Sequence, residues 1–330
     1  MGQWYFNKYK PGDKYRDPIQ GEFFSSEAIS DPGRALVREG IQNSLDAAND
    51  DKPVIMRIFI SDDKHINNRN VINEFLAGSW DHFHATNNGL REVPDEYEHC
   101  KFLVFEDFNT TGLAGDPYEL EPQHGSKNHF FYFFRTEGIS GKGEGDRGRW
   151  GVGKTVFQRS SRINTMFGLT IVQDNSQPLL MGVSILKSHR VNGNSYTPDG
   201  WFGTVQNDIV MPIVDNKFHE RFKKAFHLDR GMEPGLSIVV PWLDAEVSSN
   251  AIIEAVLKDY FYPVLTGKLE VIVEAPENKI TVDKNSIDTE LKKVGGKFEH
   301  EIRPLIDLSR WSLAQDAGHR LCQGPRWLLG

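Results

Sequence analysis

The sequence predicts an α+β fold, on three observations. Short apolar runs of strand length recur at residues 54–60, 102–106, 166–172, 180–187 and 236–240. A helix-periodic stretch opens at residue 32. The later strands follow one another directly instead of alternating with helices, which argues for a layered mixed sheet and against a regular βαβ series. At 330 residues the chain suits one large or two medium domains.

Taken in order, residues 1–30 are polar and aromatic with turn residues and read as an extended arm. Asp31 is placed to cap a helix, Pro32 suits its first turn, and ALVREGIQNSLDAAND carries helical periodicity to about Asn49. VIMRIFI (54–60) is a strand. Residues 62–100 are rich in His and Asn, with a short helix at Val71–Leu76. FLVFE (102–106) is a continuous apolar strand of the buried kind, and Asp107 sits where it ends. From Asn109 to Arg149 the composition is that of a long mobile loop with one packed anchor, HFFYFFR. Three further strands follow, then a helical stretch at 249–264 and a strand pair, GKLEVIVE and KITVD. Residues 303–330 show no clear pattern. The halt after RWLLG suggests that a longer parent protein continues. No internal repeat is present.

The formal charge of −8 gives no general attraction to DNA or anionic lipid, so nucleic acid would be reached through a local patch or another domain. Cys100 and Cys322 form no CxxC or Cys/His cluster, which speaks against zinc and suits a reducing compartment. The N-terminus lacks the apolar core of a signal peptide, and the run Phe130–Phe134 is too short to span a bilayer. The expectation is a cytoplasmic protein without membrane contact. The eleven histidines are scattered, and His82 and His84 find no third ligand.

Three motifs carry chemistry. Glu39, Asn43 and Asp46, at spacings of four and seven, share one helical stripe, with Val37, Ile41, Ser44 and Ala48 roughly opposite. By itself this is an ordinary amphipathic helix. Functionally, a carboxylate there could polarise water and an amide oxygen could ligate Mg²⁺. Asp107, at the end of a buried strand, is placed to accept a hydrogen bond from a ligand amine, although a strand ending in an Asx turn looks the same. In Gly148–Arg–Trp150–Gly151–Val152–Gly153–Lys154–Thr155 the glycines let backbone N–H groups converge on an anion, and Lys154 supplies a point charge. That loop also satisfies G-x-x-x-x-G-K-[ST], the P-loop pattern. A P-loop should follow a buried strand, which GISGKGEGDRGRW does not form, and it needs a later strand ending in an Asp for Mg²⁺, for which Asp174 is a weak candidate.

In order and spacing, EGIQNSLDA, EDFNTTG and GRWGVGK resemble the GHKL ATPase superfamily, over roughly residues 30–240. The resemblance implies a Bergerat-fold two-layer α/β sandwich, a mixed sheet with helices on one face. An N-terminal arm (1–30) and a C-terminal α/β extension or transducer-like start (246–330) would flank an ATP-binding domain (31–245) whose lid covers about 113–150. It implies ATP and Mg²⁺ as ligands. Glu39 would be the general base, Asn43 the Mg²⁺ ligand and Asp107 the adenine acceptor. Gly148, Gly151, Gly153 and Lys154 would hold phosphates. Asp46, Ala47, Gly112, Trp150, Val152, Thr155 and Ser237 complete the implied pocket, Ser237 standing where the family usually has Thr. Asn109 and Thr111 replace family glycines, and Gly112 comes one residue late. Glu39 favours the hydrolytic branches over the histidine kinases. The implied activity is an ATPase that works as a nucleotide-gated switch, self-associating through its arm, in a DNA-processing or anti-phage defence protein. Protein or DNA partners would be reached through other domains or subunits. A nucleotide-sensing module without catalysis and a P-loop NTPase are the alternatives.

Overall fold

The computed structural model describes residues 2–18, 31–49, 52–95, 97–121, 126–136 and 154–322, with side chains described to residue 315. In chain order the elements are β1 (Gln3–Lys8), α1 (Pro32–Asp46), β2 (Val54–Ile60), α2 (Arg69–Ile72) running into a 3₁₀ turn at Asn73–Phe75, α3 (Trp80–Phe83), β3 (Phe102–Phe108), α4 (His129–Arg135), α5 (Thr155–Arg159), β4 (Thr165–Val172), β5 (Asn175–Ile185), β6 (His189–Val191), β7 (Asn194–Gln206), β8 (Ile209–Met211), α6 (Asn216–Phe226), β9 (Gly235–Pro241), α7 (Ser249–Asp259), α8 (Phe261–Leu265), β10 (Leu269–Ala275), β11 (Asn278–Val282), α9 (Ile287–Val294) and α10 (Gly296–Cys322).

The chain has an α+β fold. Eleven strands form one mixed sheet ordered β1-β7-β5-β4-β9-β3-β2-β10-β11, with β6 and β8 attached to β7. Among the described residues every pairing is antiparallel except β2 with β10, which run parallel from Leu269 opposite Val54.

Successive strand residues point to opposite faces, and the two faces are covered differently. On the first, Met56, Ile58, Leu103, Phe105, Ile238 and Val240 pack with Leu36, Val37 and Ile41 of α1 and with Ile252 and Val256 of α7. On the second, Phe59, Phe102, Val104, Phe167 and Val239 pack with Phe222 and Phe226 of α6 and with Ile72, Phe75 and Phe83 around α2 and α3. The expected helical layer is therefore present on one face. The opposite face also carries helices, which the sequence reading did not include.

Helix α1 starts as its sequence predicts. The Asp31 side chain accepts from the Arg34 backbone N–H at 2.9 Å, and Pro32 occupies the first turn. Its end comes at Asp46, three residues before the expected Asn49. Arg34 clamps it to α7 through a two-toothed pair with Asp259 at 2.8 and 2.9 Å, the strong geometry for this pair type.

Residues after 245 do not stand apart from this core. β10 lies beside β2 in the sheet, and Ile287, Leu291, Ile302 and Ile306 belong to the same apolar cluster as α1. The N-terminal arm is a strand over Gln3–Lys8, paired antiparallel with β7, and its Trp4 and Phe6 are buried. The patternless C-terminal segment is mostly helix α10. No helix among the described residues is long and apolar enough to cross a membrane.

Candidate functional site

Gly40 decides how closely α1 approaches the sheet. A Cβ there would run into the Phe105 ring. Without one, the helix sits down on β3, and the residues on either side of Gly40's turn are brought over the strand end. Glu39 and Asn43 form one i, i+4 pair, the Asn43 amide nitrogen donating to Glu39 Oε1 at 3.0 Å. Gln42 and Asp46 form a second, with Gln42 Nε2 donating to Asp46 Oδ1 at 2.8 Å. Asn43's amide oxygen is thereby left as an acceptor, which is the hard oxygen chemistry that Mg²⁺ takes.

Asp107 is 7% exposed and stands on the same face as Phe105, two residues further along β3. Its Oδ1 accepts from Thr110 Oγ1 and from the Leu236 backbone N–H, both at 2.7 Å, and its Oδ2 shares the Ser44 hydroxyl hydrogen, at 3.0 Å, with the Gly40 carbonyl. A carboxylate offers about four acceptor positions. Three are taken by these described residues, and Oδ2 retains one. Ser44 thus joins the first motif to the second. The join continues along the backbone, where Ala48 bridges Thr110 and the Thr111 N–H donates to the Ala47 carbonyl at 3.0 Å.

The turn after Asp107 explains two departures from the resembled pattern. Asn109 adopts φ +62°, a left-handed conformation that Asn tolerates better than most residues, and its side chain donates to the Pro53 carbonyl at 2.7 Å. Gly112 has φ +70°, and a Cβ on it would strike the Ile171 carbonyl. The displaced glycine is therefore required where it stands.

Of the third motif, Gly148, Trp150, Gly151, Val152 and Gly153 lie outside the described residues. Lys154 and Thr155 open α5, which packs against α1. The Lys154 ammonium donates to the Tyr132 carbonyl of α4 and lies 3.4 Å from Thr136 Oγ1. Phe157 of α5 meets Phe105 edge-on at 5.5 Å between ring centres. Phe105 is thus the shared seat of the first two motifs and of the helix that follows the third: Gly40 rests on its ring, Phe157 of α5 packs against it, and Asp107 follows it on the strand.

Ser237 does not join this group. It faces the other side of the sheet, where its hydroxyl donates to Glu106 Oε1 at 2.8 Å and accepts from Arg230 Nε at 2.7 Å. Period-two alternation puts Glu106 and Ser237 on one face and Asp107 on the other. On that second face Arg57 meets Glu106, Glu274 and Asp229 at 2.8, 2.8 and 2.9 Å, at the floor of an open cleft of about 800 Å³. With three carboxylates already around it, Arg57 is not available to an anionic ligand. Burial lowers the Arg230 guanidinium from its ordinary value, and Asp107 and Glu106 oppose that shift.

Sequence reasoning missed Ser44, Thr110 and Arg230. Ser44 carried a usable signal, being a hydroxyl on the apolar face of α1, where a polar group needs a partner. Thr110 and Arg230 carried none.

No protein-family model matches the chain. No curated protein matches it either. Among solved structures, the ATPase region of topoisomerase II from Saccharomyces cerevisiae, bound to ICRF-187 (dexrazoxane), is similar with a TM-score of 0.38 and 12% identity, over 79% of this chain and 52% of that one. The ATPase and transducer domains of DNA topoisomerase II from Balamuthia mandrillaris give 0.37 and 10%, over 78% and 50%. The chain spans about half the length of these structures.

Proposed function

We propose that this chain binds Mg·ATP where α1, the end of β3 and the start of α5 meet, and hydrolyses it. The observation that supports this reading is that the first two motifs and helix α5, which Lys154 and Thr155 open, all pack at Phe105, with the helix of the acid–amide pair and the strand-end carboxylate on the same side of the sheet. Asp107 Oδ2, with its open acceptor position, would take a donor such as the adenine amine. Asn43 would hold the metal through its amide oxygen, and Lys154, with residues 148–153, would hold the phosphates. Bound there, Mg²⁺ would offset the negative charge that Glu39, Asp46 and Asp107 present to a triphosphate. Glu39, held by the Asn43 amide, would accept the proton of the attacking water. Ala47, Gly112 and Thr155 shape the walls.

The test pairs binding with turnover. Purified protein should bind ATP in the presence of Mg²⁺ and release phosphate. Glu39→Ala should still bind while turnover falls by about 10²-fold or more, the usual scale of a lost general base. Equal turnover in the variant removes Glu39 from this role, and binding without turnover in the parent protein favours the nucleotide-sensing alternative. Asn43→Ala should abolish Mg-dependent binding. Retention of binding would instead support the P-loop reading, which fits poorly with a sheet whose described pairings are antiparallel apart from β2–β10. We also propose ATP-gated self-association, checked by sedimentation with and without a non-hydrolysable analogue. A role in DNA processing or defence would depend on partners reached through other domains or subunits.

A further inference from the structure

We propose that Arg230 is the positioning residue for Asp107. It reaches from the second face across the ends of the central strands β3 and β9 to fix the carboxylate that would read the base. The inference rests on the ATP-binding reading above and adds a residue to it.

Arg230 lies 123 residues from Asp107 and is 2% exposed. Its guanidinium spans both faces at the start of β9. Nη2 donates to the Asp107 main-chain carbonyl and, at 2.9 Å, to the Leu236 carbonyl. The same nitrogen lies 3.7 Å from Asp107 Oδ1. Nη1 donates to the carbonyls of Glu233 and Pro234 at 3.2 and 3.1 Å, and Nε to Ser237 Oγ at 2.7 Å. The guanidinium also stacks over the Phe108 ring at 4.8 Å. A buried arginine held by this many fixed acceptors cannot drift, and a rigid fork is what distinguishes Arg from Lys. By gripping the carbonyls of residues 107 and 236, it also sets where the Leu236 N–H meets Asp107 Oδ1. With Oδ1 held there, Oδ2 is the oxygen turned towards Ser44 and the open position.

Gly235 is the independent sign that this approach is built in. It takes φ +141°, and a Cβ on it would lie 2.5 Å from the Asp107 carbonyl, 2.6 Å from Arg230 Nη1 and 2.7 Å from Asp107 Oδ1. Any side chain there would drive the guanidinium and the carboxylate apart.

The experiment compares Mg·ATP with inorganic triphosphate as a base-free probe, in the parent protein, Asp107→Asn, Arg230→Lys and Ser237→Ala, with folding checked by circular dichroism. Arg230→Lys keeps the charge and loses the fork. ATP affinity should drop roughly tenfold, the scale of one charge-assisted hydrogen bond, with triphosphate affinity unchanged. The KM for ATP should rise while kcat at saturation stays within about twofold. Equal weakening of both probes would mark a structural role only and overturn the proposal, as would unchanged ATP affinity. If Arg230→Lys does not fold, Ser237→Ala decides, because it removes the Nε anchor, along with one donor to Glu106 on the second face, and leaves the guanidinium itself intact. A selective loss of ATP affinity supports the proposal, and parental affinity overturns it. Failure of the parent protein to bind ATP, or indifference of ATP to Asp107→Asn, sinks the underlying reading instead, and the two failures are told apart by which protein shows them.

Discussion

Gly40 shows how one missing methyl group can matter more than helix propensity. In an exposed helix, Gly→Ala would stabilise by about 1 kcal/mol. Here the new Cβ would enter the Phe105 ring, which is itself held by Phe157. Forcing extra volume into a packed core costs about 1–3 kcal/mol, so the sign reverses. Gly40→Ala should lower the urea midpoint, and it should weaken nucleotide binding because it lifts the helix that carries Glu39 and Asn43. A higher midpoint would show that Phe105 gives way. Much of the site was legible at this scale. Spacing alone put Glu39 and Asn43 together, and the end of an apolar run singled out Asp107. Ser237 was misplaced because an analogy of position ignores which way a strand residue points. Arg230 was invisible because its partners come from remote parts of the chain.

At the scale of elements, β1 is the instructive case. Its Phe6 stacks on His82 at 4.1 Å, and His82 Nδ1 lies 2.8 Å from His189 Nε2. His189 Nδ1 bonds the Lys187 carbonyl and so must donate. In the neutral ring its Nε2 then accepts, and His82 donates. Burial, with His189 beside it, pushes the His82 imidazole down to about 4, and burial lowers His189 as well. A base whose folded value lies below its unfolded one stabilises the fold above the unfolded value, near 6.5, and that stability is lost as pH falls towards 4. The loss should be roughly 2 kcal/mol by pH 5 and about 3 kcal/mol by pH 4. Thermal melts at pH 7 and pH 5 would measure it, and His82→Gln should flatten the difference. An equal slope in the variant would assign the acid sensitivity elsewhere. The sequence reads β1 as part of an extended arm because its aromatic residues alternate with polar ones only briefly. β7 escaped notice for a related reason: its Pro198, Gly200 and Gly203 are turn formers, tolerated because Phe6 packs on Gly200 and the β8 backbone on Gly203. Pro304 inside α10 concealed that helix in the same way.

The molecule as a whole is built on one sheet whose chain order and spatial order disagree. β2 and β3 sit between β9 and β10, both of which come from the last hundred residues. A chain cut after residue 245 would lose β10 from the edge of β2 and α7 from the back of α1, including the Asp259 that holds Arg34. It should not fold stably, and a soluble, cooperatively melting 1–245 fragment would contradict this. A reading of local patterns locates strands well but cannot say which distant ones pair, so the boundary near residue 245 could be drawn in the sequence without being a break in the sheet. The parallel β2–β10 pairing has a further consequence during synthesis on the ribosome. Val54–Ile60 emerges about 200 residues before Leu269–Ala275, and at 5–20 residues per second that is a wait of roughly 10–40 s. For that time VIMRIFI is an apolar strand without its β10 neighbour, the kind of open edge that a chaperone's cover would protect.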